Sequence, residues 1–367
     1  MAGKVGKLRL ALVFGGRSGE HEVSVVSARS VARALDPGKY HVIPMAIDRQ
    51  GLWASPEVAR EVLEGSGDRA DQVRPFSGSF RLDPRLTDGS VDVVVPILHG
   101  PFGEDGTIQG LCEMLDLPYT GCGVAASAVT MDKVLTKRLL RDAGVAVVPF
   151  KVVTREVEGR GAFPDLSELR LPVFVKPARL GSSVGISKVK RWEDLPSALD
   201  LAFRYDDVVL VEQGVSAREI EVAVLAGDPP VVSVPGEVVP GHEFYDYADK
   251  YLDDGCQLLA PAPLDDGLVG QVQKLAREAF EACGCDAMAR VDFLLDRQSG
   301  VFYVNELNSI PGFTPISMYP KLLGLSGVPY PELLDRLVSL ALRRHERRRQ
   351  LAAAALAPLE ARAYAGS

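Results

Sequence analysis

Residues 289–309 read ARVDFLLDRQSGVFYVNELNS, and no other stretch constrains the fold as strongly. Two apolar runs flank DRQSG, a turn signal, so the segment is a β-hairpin with strands at 288–296 and 300–308. A turn centred near Ser299 sets Asp292 opposite Glu306 and Arg290 opposite Asn308. Period-two alternation then puts all four side chains on one face. Two carboxylates directly across from one another repel, so the pair calls for a cation. Two carboxylates and an amide oxygen are hard ligands of the kind Mg²⁺ takes when it also holds phosphates. The alternative is a solvent-facing strand pair with arbitrary charges. A four-residue polar face inside such apolar strands favours the metal reading.

The first third of the chain alternates strand and helix, with strands at 8–16, 40–48 and 91–100 and a helix at 21–35. That order predicts a doubly wound parallel sheet with ligand groups at the strand C-terminal ends. FGGRSGEHE and LHGPFGEDG occupy two such ends. A helix at about 128–143, stopped by Gly144, comes next. Short strands follow in VAVVPFKVV, LPVFVKPA, VVLVEQGV, REIEVAVLAG and VVSVPGEVV, which predict a small antiparallel or mixed sheet and hence a second domain. A helix at about 265–283 precedes the hairpin, and one at about 331–346 closes the chain. The tail beyond it reads as a helix extension with a frayed end. The class is α/β, with α+β character in the C-terminal parts.

Charge and cysteine usage narrow the partners. A net charge of −8 argues against nucleic acid or an anionic membrane as the main partner. Five cysteines include Cys283 and Cys285, which lack a second pair at zinc-finger spacing and read as free buried thiols. That suits a reducing cytoplasm. The N-terminal apolar run is too short for a signal peptide, and nothing approaches a membrane span.

Other motifs carry chemistry at lower specificity. In VFVKPARLGSSVG a strand delivers Lys176, and a Gly/Ser loop follows at 181–185. Such loops present backbone N–H groups to phosphate oxygens. The lysine precedes the glycines, so this is not a Walker A loop. Alone it reads equally as a surface turn; with the carboxylate pair it points to a nucleoside triphosphate. VVLVEQGV ends a strand at Glu212, and Glu219 follows. A strand edge can pair with adenine and a carboxylate with ribose hydroxyls, or both glutamates are simply solvated. His99 ends a strand, where it is a substrate contact or a structural histidine. Glu20 and Glu22 stand at the mouth of the first helix, complementing its dipole; alternatively, Glu22 meets a substrate ammonium. GHEFYDYADKYLDDG, at 241–255, fits neither a helix stripe nor a strand alternation and reads as a functional loop.

FGGRSGEHEVS, LHGPFGEDGTIQG, MDK, VKPARLGSSVGI, YDYADKY, ARVDF, NELNSIPGFT and PISMYP, in this order, resemble the D-alanine–D-alanine ligase family of the ATP-grasp superfamily. The resemblance runs to about residue 345. It implies an N-terminal substrate-binding domain at 1–126 and a two-part ATP-grasp at 127–218 and 219–346, with a lid at 241–255 and a tail at 347–367. It also implies a reaction. ATP phosphorylates the carboxylate of one D-alanine, and the amine of a second attacks the acyl phosphate, giving a dipeptide for peptidoglycan precursors. Two Mg²⁺ ions, replaceable by Mn²⁺, a K⁺ requirement left open, a homodimer and a cytoplasmic location go with that family. Nucleic acid and membrane are not implied as partners.

Position by position, the resemblance assigns Glu22 to the ammonium of the first D-alanine and His99 to the neighbourhood of its carboxylate. It assigns Lys133, Lys176 and Lys250 to ATP phosphates, and Ser182 and Ser183 to a small loop over them. Glu212 falls at the adenine side and Glu219 at the ribose. Arg290 stabilises the oxyanion and the transferred phosphoryl group, and Asp292, Glu306 and Asn308 hold the metals. Gly312 lends a backbone N–H to the oxyanion hole, and Ser317 holds the second carboxylate. Tyr251 joins Glu22 and Ser182 in a network that locks the lid and excludes water. Relatives that make D-alanyl-D-lactate carry a histidine-bearing sequence in place of the Lys250–Tyr251 end, so that pair favours the dipeptide. One departure is Ala248–Asp249, where the family more often has Glu-Ala; no role is assigned to Asp249.

Overall fold

A computed structural model describes residues 6–65, 80–155, 164–240 and 257–365, with side chains to residue 355. The lid stretch read at 241–255, with Lys250 and Tyr251, lies outside the described residues.

Strand β1 (Leu8–Gly15) is apolar at nearly every position, as a strand covered on both faces must be. It runs parallel between β2 (Tyr40–Ile47) and β3 (Val93–Ile97). Leu10, Leu12 and Phe14 pack on helix α1 (His21–Ala34) and on C-terminal helices. Ala11 and Val13 pack on the other side against Trp53, Leu86 and Ile108. The doubly wound sheet therefore forms as the alternation requires. Two of its helices, α2 (Pro56–Glu64) and α3 (Thr107–Met114), escaped the sequence reading. Gly15 turns the chain from β1 toward α1 at φ +89°, and a Cβ there would stand 2.2 Å from the Ile47 carbonyl oxygen. Only glycine fits that turn. It delivers Glu20 and Glu22 to the end of the sheet.

The helix expected at 128–143 is two helices, α4 (Val124–Met131) and α5 (Lys133–Asp142). Asp132 breaks them, because its carboxylate accepts from the backbone of Val134 (2.9 Å) and Leu135 (3.0 Å) as an N-cap. Lys133 thus opens α5, its backbone N–H donating to the Ala178 carbonyl at 3.0 Å. A four-stranded antiparallel sheet follows, built from β4 (Phe150–Thr154), β5 (Val173–Pro177), β6 (Ser187–Val189) and β7 (Val208–Gln213) in the order β4-β7-β5-β6. Helix α6 (Leu195–Ala202) covers it. The strand expected over 145–153 is confined to β4, after Pro149.

The second antiparallel sheet comprises β8 (Ala217–Leu225), β9 (Val231–Val232), β10 (Gly236–Val239), β11 (Gln257–Leu259), β12 (Met288–Asp296) and β13 (Phe302–Asn308). Its order is β11-β10-β8-β12-β13, with β9 paired to β8. The single strand expected at 231–239 is split into β9 and β10. Helix α7 (Asp266–Ala282) lies on one face, against Val222, Val291 and Val304. Helices α8 (Met318–Leu325) and α9 (Tyr330–Ala365) close the chain, and the tail continues α9 without a break. Cys283 and Cys285 are buried free thiols. No helix among the described residues is long and apolar enough to cross a membrane.

Candidate active site

The expected functional pairs are present: Arg290 faces Asn308 and Asp292 faces Glu306. One pair further along, the register slips at a β-bulge, so that Phe293 faces Val304. Asn305 is the extra residue. Val304 and Leu307 are buried in the core, while Asn305 and Glu306 both line the cleft. On its other side β12 pairs with β8, which sets Glu221 opposite Asp292. The guanidinium of Arg290 grips both oxygens of Asp292 (2.7 and 2.6 Å) and reaches Glu221 at 3.3 Å. Asn308 donates to Asp292 at 2.9 Å. Burial disfavours the charge on Arg290; Asp292 and then Glu221 reverse that and hold it protonated.

Facing this sheet is a wall of lysines. Lys133 donates to the Leu180 carbonyl (2.8 Å) and pairs with Glu306 (3.3 Å). Lys176, at the end of β5, pairs with Glu212 at 2.6 Å and donates to Asn305 at 3.4 Å. Lys137, which the sequence reading did not single out, pairs with Glu212 from behind at 3.0 Å. Burial alone would raise the Glu212 carboxyl; Lys137 and Lys176 override it and hold it at about 2. Burial lowers the Lys137 ammonium, against the pull of Glu212. The Gly/Ser loop follows Lys176. Ser182 and Ser183 both adopt positive φ (52° and 59°), a conformation non-glycine residues seldom hold outside functional turns.

At the opposite end stand the groups of the N-terminal sheet. Ser182 donates to Glu20, whereas Glu22 is paired with Arg49. The expected contact between Ser182 and the first helix is therefore made by Glu20, two residues earlier in the chain. The helix mouth presents both carboxylates, and only the tertiary packing shows which one meets the loop. His99 is buried; its Nδ1–H donates to the Ile310 carbonyl (3.1 Å), and its Nε2 accepts from Ser27 (3.2 Å). The Phe313 backbone donates to that same serine at 3.3 Å. Burial lowers the His99 pKa despite Glu20, so the ring is neutral at pH 7. Ser317 accepts from the Thr314 backbone at 3.0 Å. A Cβ at Gly312 would stand 2.6 Å from the Ser317 hydroxyl, so the chain approaches closely there.

Glu104, also missed from sequence, accepts from the backbone of Gly100 (2.7 Å) and Ile310 (3.4 Å). Burial, then the charge of Glu20, push its carboxyl from 4.5 up to about 8. Between those pH values the folded chain holds a proton that the unfolded chain has lost. Stability should therefore fall as pH rises from about 4.5 to about 8. Glu104→Gln should flatten that slope. Melting temperatures of both proteins across this range check it, and an unchanged slope would refute the assignment.

One cleft of ≈ 1770 Å³ collects these groups, large for a small-molecule site. Glu20, Glu22, His99, Lys133, Lys176, Ser182, Ser183, Glu212, Glu219, Arg290, Asp292, Glu306, Asn308, Gly312 and Ser317 all line it. Among the described residues no group of three or more His, Cys, Asp and Glu side chains is gathered for a metal. The donor set still fits a hard cation: Asp292 and Glu306 are opposed in register, with the Asn308 amide beside them.

Comparison with known proteins adds to this geometry. A family model described as "D-ala D-ala ligase N-terminus" matches residues 9–122, and one described as "D-ala D-ala ligase C-terminus" matches residues 139–339. The chain is 45% identical over 362 residues to the D-alanine--D-alanine ligase of Chloroherpeton thalassium, spanning 94% of this chain and 98% of that one. It is 49% identical over 366 residues to D-alanine--D-alanine ligase A of Bradyrhizobium diazoefficiens, with the same shares of 94% and 98%. Among solved structures, the D-alanine-D-alanine ligase from Coxiella burnetii superposes with a TM-score of 0.80 at 36% identity, over 97% of this chain and 99% of that one. The VanG D-Ala:D-Ser ligase from Enterococcus faecalis does so with a TM-score of 0.74 at 32% identity, over 92% and 100%.

Proposed function

As the chain belongs to the D-alanine–D-alanine ligase family, we infer that it joins two D-alanines into D-alanyl-D-alanine while cleaving ATP to ADP and phosphate. The dipeptide serves peptidoglycan precursor synthesis, and through it the cell wall and cell shape. The observation that best supports this reading is the single cleft, with lysines and a Gly/Ser loop beside the Arg290–Asp292–Glu306–Asn308 face and Glu20, His99 and Ser317 lining the same space.

In this reading Lys133 and Lys176 take the ATP phosphates, Ser182 and Ser183 shape the loop over them, Glu212 stands at the adenine side and Glu219 at the ribose. A carboxylate oxygen of the first D-alanine attacks the γ-phosphorus, and ADP leaves. The amine of the second attacks the acyl carbon and gives up a proton, and phosphate departs with the C–O bonding electrons. Arg290 and the Gly312 N–H face the charge that develops. His99 stands near the first carboxylate, and Ser317 holds the second. We assign the first ammonium to Glu20 in place of Glu22, because Ser182 engages Glu20 and Arg49 engages Glu22. Asp292, Glu306 and Asn308 would hold two Mg²⁺ ions, replaceable by Mn²⁺, which neutralise phosphate charge when bound. Lys250 and Tyr251 complete the set as a phosphate ligand and a lid lock. Domain limits at 126, 218 and 346, a homodimer and a cytoplasmic location belong to the same proposal; a K⁺ requirement is left to assay.

An incubation with ATP, Mg²⁺, D-alanine and excess D-lactate or D-serine, read by mass spectrometry, tests the substrate choice. D-alanyl-D-alanine is the expected main product. A D-lactate ester as main product would overturn the reading of Lys250 and Tyr251, and D-alanyl-D-serine would place the chain with the VanG-like activity. The absence of all three products, with no ADP formed, would overturn the ligase reading.

A further inference from the structure

Lys137 lies one turn beyond Lys133 on α5, is 1% exposed, and is not among the residues lining the cleft. A lysine so deeply buried is costly unless paired. Its partner is the Glu212 carboxylate at 3.0 Å, equally buried. The other oxygen of Glu212 pairs with Lys176 at 2.6 Å, and Lys176 does line the cleft. The three groups form a line from the core to the cleft surface: ammonium, carboxylate, ammonium. Were Glu212 shared with no second lysine, it would cancel Lys176 and leave a neutral pair facing a phosphate. With Lys137 behind it, the trio carries one net positive charge, and its members lining the cleft are Lys176 and Glu212. At the effective dielectric of a protein interior, one such charge at contact distance changes a phosphate's affinity substantially.

We propose that Lys137 is a positioning residue for nucleotide binding: it shares the Glu212 carboxylate and so leaves the charge of Lys176 available to a polyphosphate chain that Lys137 itself does not touch. This rests on the ATP reading of the cleft. It assigns the buried lysine an electrostatic task that acts only on ligands carrying phosphates. A lysine that merely held α5 in place would instead affect every nucleoside alike.

Binding of ATP, ADP and adenosine to the whole protein, by calorimetry, separates these cases. Lys137→Met should weaken ATP and ADP by about tenfold or more and adenosine by no more than about twofold. The KM for D-alanine should stay as in the wild type. Equal losses for all three ligands would overturn the proposal. Should the single variant not fold, Lys137→Met with Glu212→Gln removes both buried charges and leaves Lys176 uncancelled. In that double variant the ratio of ATP to adenosine affinity should match or exceed the wild-type ratio, and a tenfold lower ratio would overturn the proposal. Wild type that binds no nucleotide would overturn the ATP reading as well. Wild type that binds ATP, matched by Lys137→Met, would overturn this proposal alone.

Discussion

Arg290→Ala should lower kcat about a hundredfold to a thousandfold, the size of effect seen when one preorganised donor to a developing oxyanion is removed. It should also destabilise the chain by about 3–5 kcal/mol, the usual consequence of removing one partner from a buried ion pair. The reason is local. Arg290 satisfies both oxygens of Asp292 and touches Glu221, so its loss leaves neighbouring carboxylates facing each other across β8 and β12. Arg290→Lys separates the two effects. It keeps the charge and much of the stability, but a lysine cannot reproduce the planar fork that grips Asp292. ADP release and thermal melts on both variants check this. A folded Arg290→Lys enzyme with wild-type kcat would show that the guanidinium geometry does not matter to the reaction.

Glu20→Gln should raise the KM for D-alanine about a hundredfold, as expected when one partner of a desolvated charge pair is neutralised. Glu22→Gln should change it by no more than about threefold. Glu22 and its partner Arg49 are both partly exposed, and such pairs contribute little. Glu20 instead receives the hydroxyl of Ser182 and lies close enough to Glu104 and His99 to shift both. Initial rates over a D-alanine series decide between the two carboxylates. The reverse order of effects would restore Glu22 as the ammonium site.

Much of the machinery could be read before folding. The hairpin followed from DRQSG between two apolar runs, and a turn centred at Ser299 anticipated the pairs Arg290–Asn308 and Asp292–Glu306, which the bulge at Asn305 brings into step. The parallel N-terminal sheet followed from strand–helix alternation. Helices α2 and α3 were lost, although Ser55–Pro56 is an ordinary helix start. Asn305 could not be placed: alternation assigns it to the core face, and the bulge that turns it toward Lys176 has no local sequence mark. Lys137 had a faint signal, its spacing of four residues from Lys133 on one helix, yet an exposed lysine at that position would look the same.

The sequence by itself determined which residues carry charge at each strand end and loop, and which family they match, because residue type and spacing are local properties. Only the tertiary structure decided which charges meet. Glu20 faces Ser182, and Lys137 stands behind Glu212, through packing between segments 162 and 75 residues apart. A carboxylate's partner depends on distance and burial, and both arise only when β5, β7, α5 and the N-terminal sheet close around the same cleft.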